Sequence, residues 1–316
     1  MTSATEPSTQ RPVAPVDPVY AAVEVTGDAW TWLVMAEVVA GGVGRFNGLQ
    51  RALGISRQTL SSRLDQLVAA EMLTRDPSET GSRVDYRPTD RGRDFFACLA
   101  VAARYGTEWC GGEEANMYGG VHRTCGAGFE AELRCDHCRE TIHARSVLVE
   151  RVRRASRTLI ASGRHRAPDL DALAGASPSG LAAAMTVIGD RWSSLVVREC
   201  FLGTRRFDDF VDRLGVATNI LSDRLHRLVD KGVLVRTPYE TRPLRHEYRL
   251  TQKGLALYPI PLALLAWGER WLTAGDRGMT LIHRSCGRYL RPILCCRACT
   301  RTVSVADITF DESERP

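Results

Sequence analysis

The chain repeats itself: residues of its first half recur in its second half at an offset of 161 or 162 positions. A period this long indicates a duplicated domain rather than a solenoid repeat. With 316 residues, 44% of them hydrophobic, the chain can form two sizeable cores. The matched features include Gly27-Asp28 and Gly189-Asp190, Trp30 and Trp192, Arg45-Phe46 and Arg206-Phe207, and Thr89 and Thr251.

The most informative segment of the second copy is 218–234, and its counterpart in the first copy is 57–73. Leucines at an i, i+4, i+7 spacing predict a helix buried along one stripe in both copies. The helix that starts at Thr218 begins with short polar side chains, as a helix that enters the DNA major groove does. Alone, the segment would favour an ordinary amphipathic surface helix, but its repetition favours a pair of DNA-reading helices. The leucines are Leu60, Leu64 and Leu67, and Leu221, Leu225 and Leu228.

The elements predicted around these helices have the same order in both copies. Two helices and a short helix precede each recognition helix, and two β-like runs joined by a polar turn follow it, before a longer last helix. The predicted fold is mainly α with small β wings (α+β), made of two tandem winged helix-turn-helix domains. Each domain is expected to carry a small zinc-ribbon-like hairpin after its last helix.

Residues 189–254 resemble the HxlR-type winged-helix transcriptional regulators. The resemblance rests on GDRW, the RRF turn, LSDRL, GVL and YRLTQKG, and the first copy matches more loosely through GDAW, GRF, LSSRL and YRPTDRG. It covers about 17–110 and 179–272. It implies DNA-binding regulators that work as dimers, with the first and last helices at the interface. Some members sense oxidants with a cysteine thirteen residues before the tryptophan. Asp17 and Ser179 occupy those positions here, so the sequence does not support that mode of sensing.

The predicted DNA contacts come from the recognition helices, the wings and the turns before them. Gln58 and Asn219 can each pair with adenine, and Ile220 can touch a thymine methyl. Arg63 and Arg224 lie at the helix flank, where a phosphate contact and an internal ion pair are both open. Wing arginines suit phosphates, although many are merely solvated. The candidates are Arg45, Arg57, Gln58, Thr59, Ser62, Arg63, Arg83 and Arg87 in the first copy, and Arg206, Thr218, Asn219, Ile220, Asp223, Arg224, Arg242, Arg245 and His246 in the second.

Each copy also contains a His-x2-Cys-x9-Cys-x2-Cys pattern. Three thiolates and one imidazole around a tetrahedral ion are a structural zinc arrangement, so two zinc ions per chain are predicted, one within each copy. A redox dithiol and small buried cysteines are the alternatives. Cys98 and Cys200 are interpreted as core residues, and Cys295 breaks the spacing. The predicted ligands are His122, Cys125, Cys135 and Cys138, and His283, Cys286, Cys296 and Cys299.

These patterns divide the chain into segments that alternate between winged domains and cysteine-rich extensions. Residues 1–16 are rich in Pro, Ser and Thr and are expected to be a disordered tail. The remaining boundaries are 17–112 for the first winged domain, 113–146 for the first zinc-ribbon-like module, 147–178 for a helical, basic linker, 179–275 for the second winged domain, and 276–316 for the second module and tail.

The predicted function is a sequence-specific, double-stranded DNA-binding transcriptional regulator, expected to be a repressor. The net charge of +5 permits this without arguing for it. We expect a cytoplasmic protein, since no apolar run is long enough to span a bilayer and no signal peptide pattern is present. We expect no enzyme, because the phosphate-loop, metalloprotease and nucleophile-elbow motifs are missing.

Two other functions stay open: a protein–protein interaction module, and a regulator gated by a small-molecule effector bound between the halves. For the effector, the candidate aromatic residues are Phe95, Phe96, Tyr105, Trp109, Tyr258, Trp267 and Trp271. Core packing is the competing role for these side chains. The sequence also leaves open whether the halves pair within one chain or between two.

Overall fold

A computed structural model describes residues 17–77, 84–112, 120–152, 179–242, 244–273 and 278–310. The predicted tail at 1–16, most of the predicted linker and Arg83 lie outside these ranges. The start of the linker, Val147–Val152, is a strand, so the prediction of a helix is wrong there, because these residues pair with a strand of the second half. Within them, helices dominate and the strands form small antiparallel sheets, as the sequence predicts. None of the described helices is both long and apolar enough to cross a membrane.

The first half follows the predicted order of three helices, a recognition helix, a two-stranded wing and a long last helix. Its cysteine-rich segment then adds three strands. The elements are α1 Pro18–Thr26, α2 Ala29–Val39, α3 Phe46–Leu53, α4 Arg57–Ala69, β1 Leu73–Pro77, β2 Val84–Pro88, α5 Asp90–Asp94, α6 Phe96–Cys110, β3 Val121–His122, β4 Ala131–Cys135 and β5 Val147–Val152.

The second half repeats this order, with a longer wing. Its elements are α7 Gly180–Ile188, α8 Arg191–Phe201, α9 Phe207–Leu214, α10 Thr218–Asp230, β6 Leu234–Thr241, β7 Leu244–Leu250, α11 Gln252–Leu255, α12 Pro259–Trp271, β8 Met279–His283, β9 Arg288–Tyr289, β10 Pro292–Cys296 and β11 Ile308–Thr309.

Equivalent side chains start and end equivalent helices. The carboxylates of Asp28 and Asp190 accept backbone N–H bonds at the first turns of α2 and α8, which satisfies donors that a helix start otherwise leaves unpaired. At the other end, Gly54 and Gly215 close α3 and α9 in the left-handed conformation, with φ of +60° and +61°. A side chain would be strained there.

The two halves pack on each other through reciprocal helix crossings. The last helix of the first half, α6, packs on the first helix of the second half, α7, and α12 packs on α1 in the same way. A Cβ atom at Gly106 would lie 1.6 Å from the carbonyl oxygen of Gly180, and one at Gly268 would lie 2.2 Å from that of Pro18. Only glycine permits approaches this close. Because the packing of the two halves is reciprocal, the chain folds as an internal pseudo-dimer.

Aromatic side chains fill the core between the halves. Trp32 packs edge-to-face on Phe95 with ring centroids 5.0 Å apart, and Phe95 packs in turn on Trp267 of the other half at 5.2 Å. The Trp267 indole donates to the carbonyl oxygen of Arg91 at 3.0 Å. Because α5, which follows the wing of the first half, is thereby bonded to the last helix of the second half, the core continues across both halves.

The strands of the cysteine-rich segments also pair across the halves. β4 forms an antiparallel ladder with β10, β3 pairs with β11, and β5 pairs with β8. The prediction of one separate hairpin module per copy is therefore wrong in its connectivity. Each five-residue strand β4 and β10 takes its ladder partner from the other copy, so the two extensions form one interleaved region.

Candidate nucleic-acid interface and metal centres

The start of α4 is exposed and polar, while its leucines are fully buried. Leu60, Leu64 and Leu67 anchor the helix to the core, and Arg57, Gln58 and Ser62 face solvent. Thr59 is half-buried, and its backbone N–H donates to the Ser56 hydroxyl, which caps the helix at 3.1 Å. The Arg57 guanidinium also lies 5.1 Å from the Phe46 ring, so its position is partly set by α3.

The start of α10 has the same arrangement with different side chains. Thr218, Asn219 and Asp223 are exposed, whereas Ile220 is half-buried and packs against the core. Asp223 forms an ion pair with Arg224. Ala217 occupies the N-cap position and has no side-chain acceptor, so the first N–H groups of α10 are not capped as those of α4 are.

Arg63 and Arg224 form internal ion pairs, which is one of the two alternatives left open by the sequence. The Arg63 guanidinium donates to both oxygens of Asp28, at 2.7 and 3.0 Å, and Arg224 donates to Asp190 at 2.8 Å. Both arginines are largely buried. Their predicted role in DNA contact is therefore replaced by a structural one, because these donors are already used inside the protein.

Asp28 and Asp190 are the functional residues that the sequence analysis missed. They face each other in an antiparallel bridge between the halves, and Ala29 donates to the Gly189 carbonyl at 2.9 Å. Each caps its helix and holds the arginine of one recognition helix. The recurring Gly-Asp pair was the available signal, but only the fold shows that it joins α4 and α10 across the pseudo-dyad.

The remaining candidate arginines lie on the exposed wings and on the turns before them. Arg87 and Arg245 form ion pairs with Asp76 and Glu240 at 3.4 and 3.5 Å, with both partners well exposed. Such pairs are weak and can be exchanged for a phosphate. The other exposed cations are Arg45, Arg206 and Arg242, while His246 is half-buried beside Arg236.

The cysteine-rich segments form two clusters of candidate metal ligands, each shared between the halves. The first contains His122 and Cys125 of the first copy with Cys296 and Cys299 of the second. The His122 Nδ1 atom lies 3.2 Å from the Cys125 sulfur and 3.3 Å from the Cys299 sulfur. The Cys125 and Cys296 sulfurs are 4.0 Å apart.

In the second cluster the two copies exchange roles: the first copy supplies the Cys-x2-Cys pair and the second copy supplies the His-x2-Cys pair. It contains Cys135 and Cys138 with His283 and Cys286. The His283 Nδ1 atom lies 3.2 Å from the Cys138 sulfur and 3.6 Å from the Cys286 sulfur. The prediction that the four ligands of one copy meet at one point is therefore wrong in its grouping, although the eight residues are the predicted ones. Cys295 lies outside both clusters.

Tight turns shape the ligand pairs. Gly126 and Gly287 follow the second ligand of the His-x2-Cys pairs with φ of +69° and +66°. Arg139 and Thr300 follow the Cys-x2-Cys pairs with φ of +63° and +61°, and their N–H groups bond back to the first cysteine. Each pair is thus fixed locally, while the antiparallel β4–β10 ladder brings each Cys-x2-Cys pair to the His-x2-Cys pair of the other copy.

The donor set fits a tetrahedral thiophilic ion. Ligands of such an ion are roughly 3.5 to 3.8 Å apart, given metal–sulfur and metal–nitrogen bonds of about 2.3 and 2.0 Å. The sulfur–sulfur and sulfur–nitrogen separations of 3.2 to 4.0 Å agree with this. The buried Nε2 atom of His283 has no hydrogen-bond partner among the described residues, and the Nδ1 atom faces the cluster. Both clusters could therefore bind a metal ion.

Two thiols outside the clusters, those of Cys98 and Cys200, are poorly placed for redox sensing. Burial raises the pKa of the Cys98 and Cys200 thiols, which disfavours the thiolate form that reacts with oxidants. At the positions where some relatives carry a sensing cysteine, Asp17 is a buried carboxylate and Ser179 caps α7. The interpretation of Cys98 as a core residue agrees with its full burial.

A cavity of about 390 Å³ lies at one junction between the halves. Three of the seven candidate effector-site aromatics, Tyr105, Trp109 and Tyr258, line it. At the equivalent junction the Trp271 indole donates to Asp94 at 2.8 Å, whereas Ala256 stands in place of Asp94 at the cavity. Phe95, Phe96 and Trp267 are fully packed instead. One junction is therefore closed by the Asp94–Trp271 contact, whereas the other contains the cavity.

The fold and the exposed helices define a tandem winged helix-turn-helix protein. The sequence profile of the HxlR-like helix-turn-helix family matches residues 25–114 and 187–276, more than half of the chain. The chain therefore belongs to this family, and the resemblance seen in the sequence is confirmed, including its duplication.

The individual relatives each cover one part of the chain. An uncharacterised HTH-type transcriptional regulator of Mycobacterium tuberculosis is 37% identical over 127 residues, which are 40% of this chain and 80% of that protein. The HTH-type transcriptional regulator YodB of Bacillus subtilis is 27% identical over 94 residues, 29% of this chain and 84% of its own. These relatives are named as transcriptional regulators.

Two solved structures also match. PA1607, titled as a candidate transcription factor, shares 39% identity, covers 42% of this chain and 92% of its own, and superposes with a TM-score of 0.38. A candidate transcription factor of Pseudomonas aeruginosa, PA1374, shares 36% identity over 42% of this chain and 94% of its own, with a TM-score of 0.33.

Proposed function

We propose that this chain is a sequence-specific regulator of transcription, acting as a repressor, which binds double-stranded DNA as a single-chain pseudo-dimer. The observation that carries the proposal is that two recognition helices, each with an exposed polar start, are joined through Asp28 and Asp190 at one pseudo-dyad. In helix-turn-helix dimers two such helices enter successive major grooves about one helical turn, or roughly 34 Å, apart.

The two helices are proposed to read different half-sites. Arg57 can form a two-point contact with guanine, and Gln58 with adenine. On α10, Asn219 can read adenine and Asp223 can accept from cytosine, with Thr218 in the place of Arg57. Because the exposed side chains differ in charge and shape, the preferred operator is an imperfect palindrome.

The wings and turns are proposed to hold the DNA backbone. Arg87 and Arg245 are exposed and form ion pairs with exposed carboxylates, and Arg245 also bonds to the exposed Tyr239 side chain, so a phosphate can replace these partners at little cost. Arg45 and Arg206 precede α3 and α9 at equivalent positions. Such contacts fix the register of the protein without reading sequence.

Selection of bound duplexes from a random pool tests the DNA proposal. We expect an operator with two unlike halves, whose guanine-containing half is lost from the selected sequences when Arg57→Ala is used. The exposed Asp90→Ala variant on α5 is the matched control. Recovery of a perfectly symmetric operator would favour two chains that each read with one half. Absence of binding at low salt would favour the protein–protein interaction function.

We further propose that both clusters hold structural zinc, two ions per chain. The support is the set of three thiolates and one imidazole in each cluster, and the ligand separations that suit a tetrahedral ion. When zinc is bound, it would hold the ligand pairs together without an open position for water. Because each cluster joins both halves, its loss should loosen both readers at once.

Metal counting on paired variants tests the proposed zinc and the shared clusters together. Cys125→Ser with Cys296→Ser removes ligands of one cluster, so one zinc should remain. Cys125→Ser with Cys135→Ser removes ligands of both clusters, so both should be lost. Native mass spectrometry reads both counts, along with the mass of the chain assembly. The reverse pattern would show that each copy binds its own ion.

The unequal junctions favour effector binding as a second candidate function. The cavity lined by Tyr105, Trp109 and Tyr258 occurs where the equivalent Asp94–Trp271 contact is replaced, so the packing there leaves space for a small planar molecule. To test this, ligands are screened with the Trp271→Phe variant, and binding is detected as a change in tryptophan fluorescence. The change should disappear when Trp109→Phe is added, which is the control. A ligand that binds without changing DNA affinity would contradict gating.

A further inference from the structure

The two crossings that join the halves differ in charge. Where α1 of the first half meets α8 of the second, Arg198 forms an ion pair with Asp17, and Arg191 forms one with Glu24 and donates to it at 3.0 Å. Asp17 and Glu24 are seven residues apart, as are Arg191 and Arg198. Two turns of helix separate the members of each pair, so each pair lies on one helix face.

The other crossing, between α7 and α2, has none of these charges at its equivalent positions. Ser179 and Thr186 lie 162 positions after Asp17 and Glu24. Ala29 and Ala36 lie 162 positions before Arg191 and Arg198. Ala29 and Ala36 are fully buried, so that crossing is closed by small side chains. The two acids that reach across this crossing thus belong to the first half and the two bases to the second, where Arg198 also forms an ion pair with Glu199 of its own half.

Three of these four charges are buried, and a buried charge needs a partner, whereas Glu24 is partly exposed. Asp17 and Arg198 are 1% and 4% exposed, and Arg191 is 5% exposed. A buried ion pair adds little stability compared with apolar residues, but one partner left alone in the interior is strongly destabilising. The arrangement therefore acts mainly against wrong partners rather than for the right one.

A third contact follows the same direction. Arg270 of the second half donates to Asp94 of the first at 3.2 Å, and the equivalent positions hold Glu108 and Ala256. If two first halves from different chains paired, Asp94 would face Glu108, and Asp17 would face Ala36. Like charges and an unpaired carboxylate would both oppose that pairing.

The metal ligands cannot supply this discrimination. Each copy offers one His-x2-Cys pair and one Cys-x2-Cys pair, so two first halves could complete the same two clusters as a first and a second half. The close helix crossings at Gly106 and Gly268 are likewise present in both copies. Something else must decide which halves pair.

We propose that the acidic face of α1 and the basic face of α8 form a pairing code, so that a first half accepts only a second half as its partner. The code prevents copies of the chain from pairing through like halves, for instance while several chains are folding together. It goes beyond DNA reading, and its test uses no DNA.

The main test uses two full-length variants that each erase one side of the code. D17S/E24T removes the acids and R191A/R198A removes the bases, in each case by installing the residue of the neutral crossing. D17S/E24T leaves the buried Arg198 with Glu199 as its remaining ion partner, and R191A/R198A leaves the buried Asp17 without its guanidinium. For each variant we expect the melting temperature to fall by about 10 °C. The quadruple variant removes both sides of the ion pairs across the crossing, while Glu199 keeps Arg213 and the Thr204 hydroxyl, and it should recover most of that loss.

Mixing sharpens the test. The two differently tagged variants are unfolded together, refolded with zinc, and weighed by native mass spectrometry. Exchange of halves between them creates one neutral and one fully charged partnership, so a 1:1 mixed dimer should be the main folded species, even if neither variant folds alone. Wild type treated in this way should give monomers, and the quadruple variant should give mixed dimers that increase with concentration.

An exposed pair within one half provides the matched control. Arg93→Ala removes the Arg93–Asp90 ion pair on the surface, and it should change neither melting nor exchange. The proposal is overturned if the two erased variants melt within about 2 °C of wild type. It is also overturned if their mixture forms no more mixed dimer than a mixture of tagged wild-type chains does.

Discussion

The two recognition helices are alike inside and different outside. Both α4 and α10 contain 13 residues and bury three leucines at the same positions. On the exposed side, Arg57 and Gln58 of α4 correspond to Thr218 and Asn219 of α10, and the capping Ser56 corresponds to Ala217. Packing keeps the buried residues constant, while the surface that would meet DNA is free to diverge once a single chain supplies both halves.

The largest expected loss of stability comes from disrupting the two equivalent helix crossings that join the halves. Gly106→Val would place side-chain atoms on the Gly180 carbonyl, and Gly268→Val would do so on Pro18. Each should lower the free energy of unfolding by more than about 3 kcal/mol, with Gly106→Val the more severe. Urea titration followed by circular dichroism measures both.

The control for these variants is Gly54→Ala, where an added Cβ has open space but a left-handed backbone. It should cost only about 1 kcal/mol. Equal losses at Gly54 and Gly106 would mean that the close approach of the helices does not limit stability.

The next effect separates the two readers. Arg57→Ala and Asn219→Ala should each weaken binding by about 1–3 kcal/mol, or roughly 5- to 150-fold, and only at the half-site that the helix reads. Mobility shifts on operators with one half-site altered at a time give the answer. A uniform loss on every duplex would instead assign these side chains to the DNA backbone.

Unlike the recognition helices, the two wings should contribute equally to the salt dependence of DNA affinity. Arg87→Ala and Arg245→Ala should each reduce the slope of log affinity against log salt by about 0.9, with the same change on all sequences. Fluorescence anisotropy over a range of salt concentrations measures the slope. An unchanged slope in one variant would show that only the other wing meets a phosphate.

The smallest effect concerns the helix caps. Ser56→Ala removes the acceptor for the Thr59 N–H and should destabilise the protein by about 1 kcal/mol. Ala217→Ser supplies the missing acceptor at the matching position of α10, and should stabilise it by a similar or smaller amount. Opposite signs in thermal melts are the expected result, and the same sign for both would refute the capping difference.

The local structure was predictable because each helix pattern depends on residues close in sequence. The stripes of leucines placed both recognition helices, although α4 ends at Ala69 and not near residue 73. The grouping of the metal ligands was not predictable, since both copies carry the same spacing and either grouping satisfies it. Only the pairing of β4 with β10 decides between them. The internal role of Arg63 likewise depends on Asp28, which lies 35 positions earlier.

The shared clusters also set the order in which the molecule can be completed. Each cluster joins residues from positions 122–138 to residues from positions 283–299, and its closure requires contacts between residues about half a chain length apart. Long-range contacts of this kind form late in folding. A chain still on the ribosome offers only half of each proposed ligand set, so a full set for a metal ion would be complete only after synthesis passes Cys286 for one cluster and Cys299 for the other.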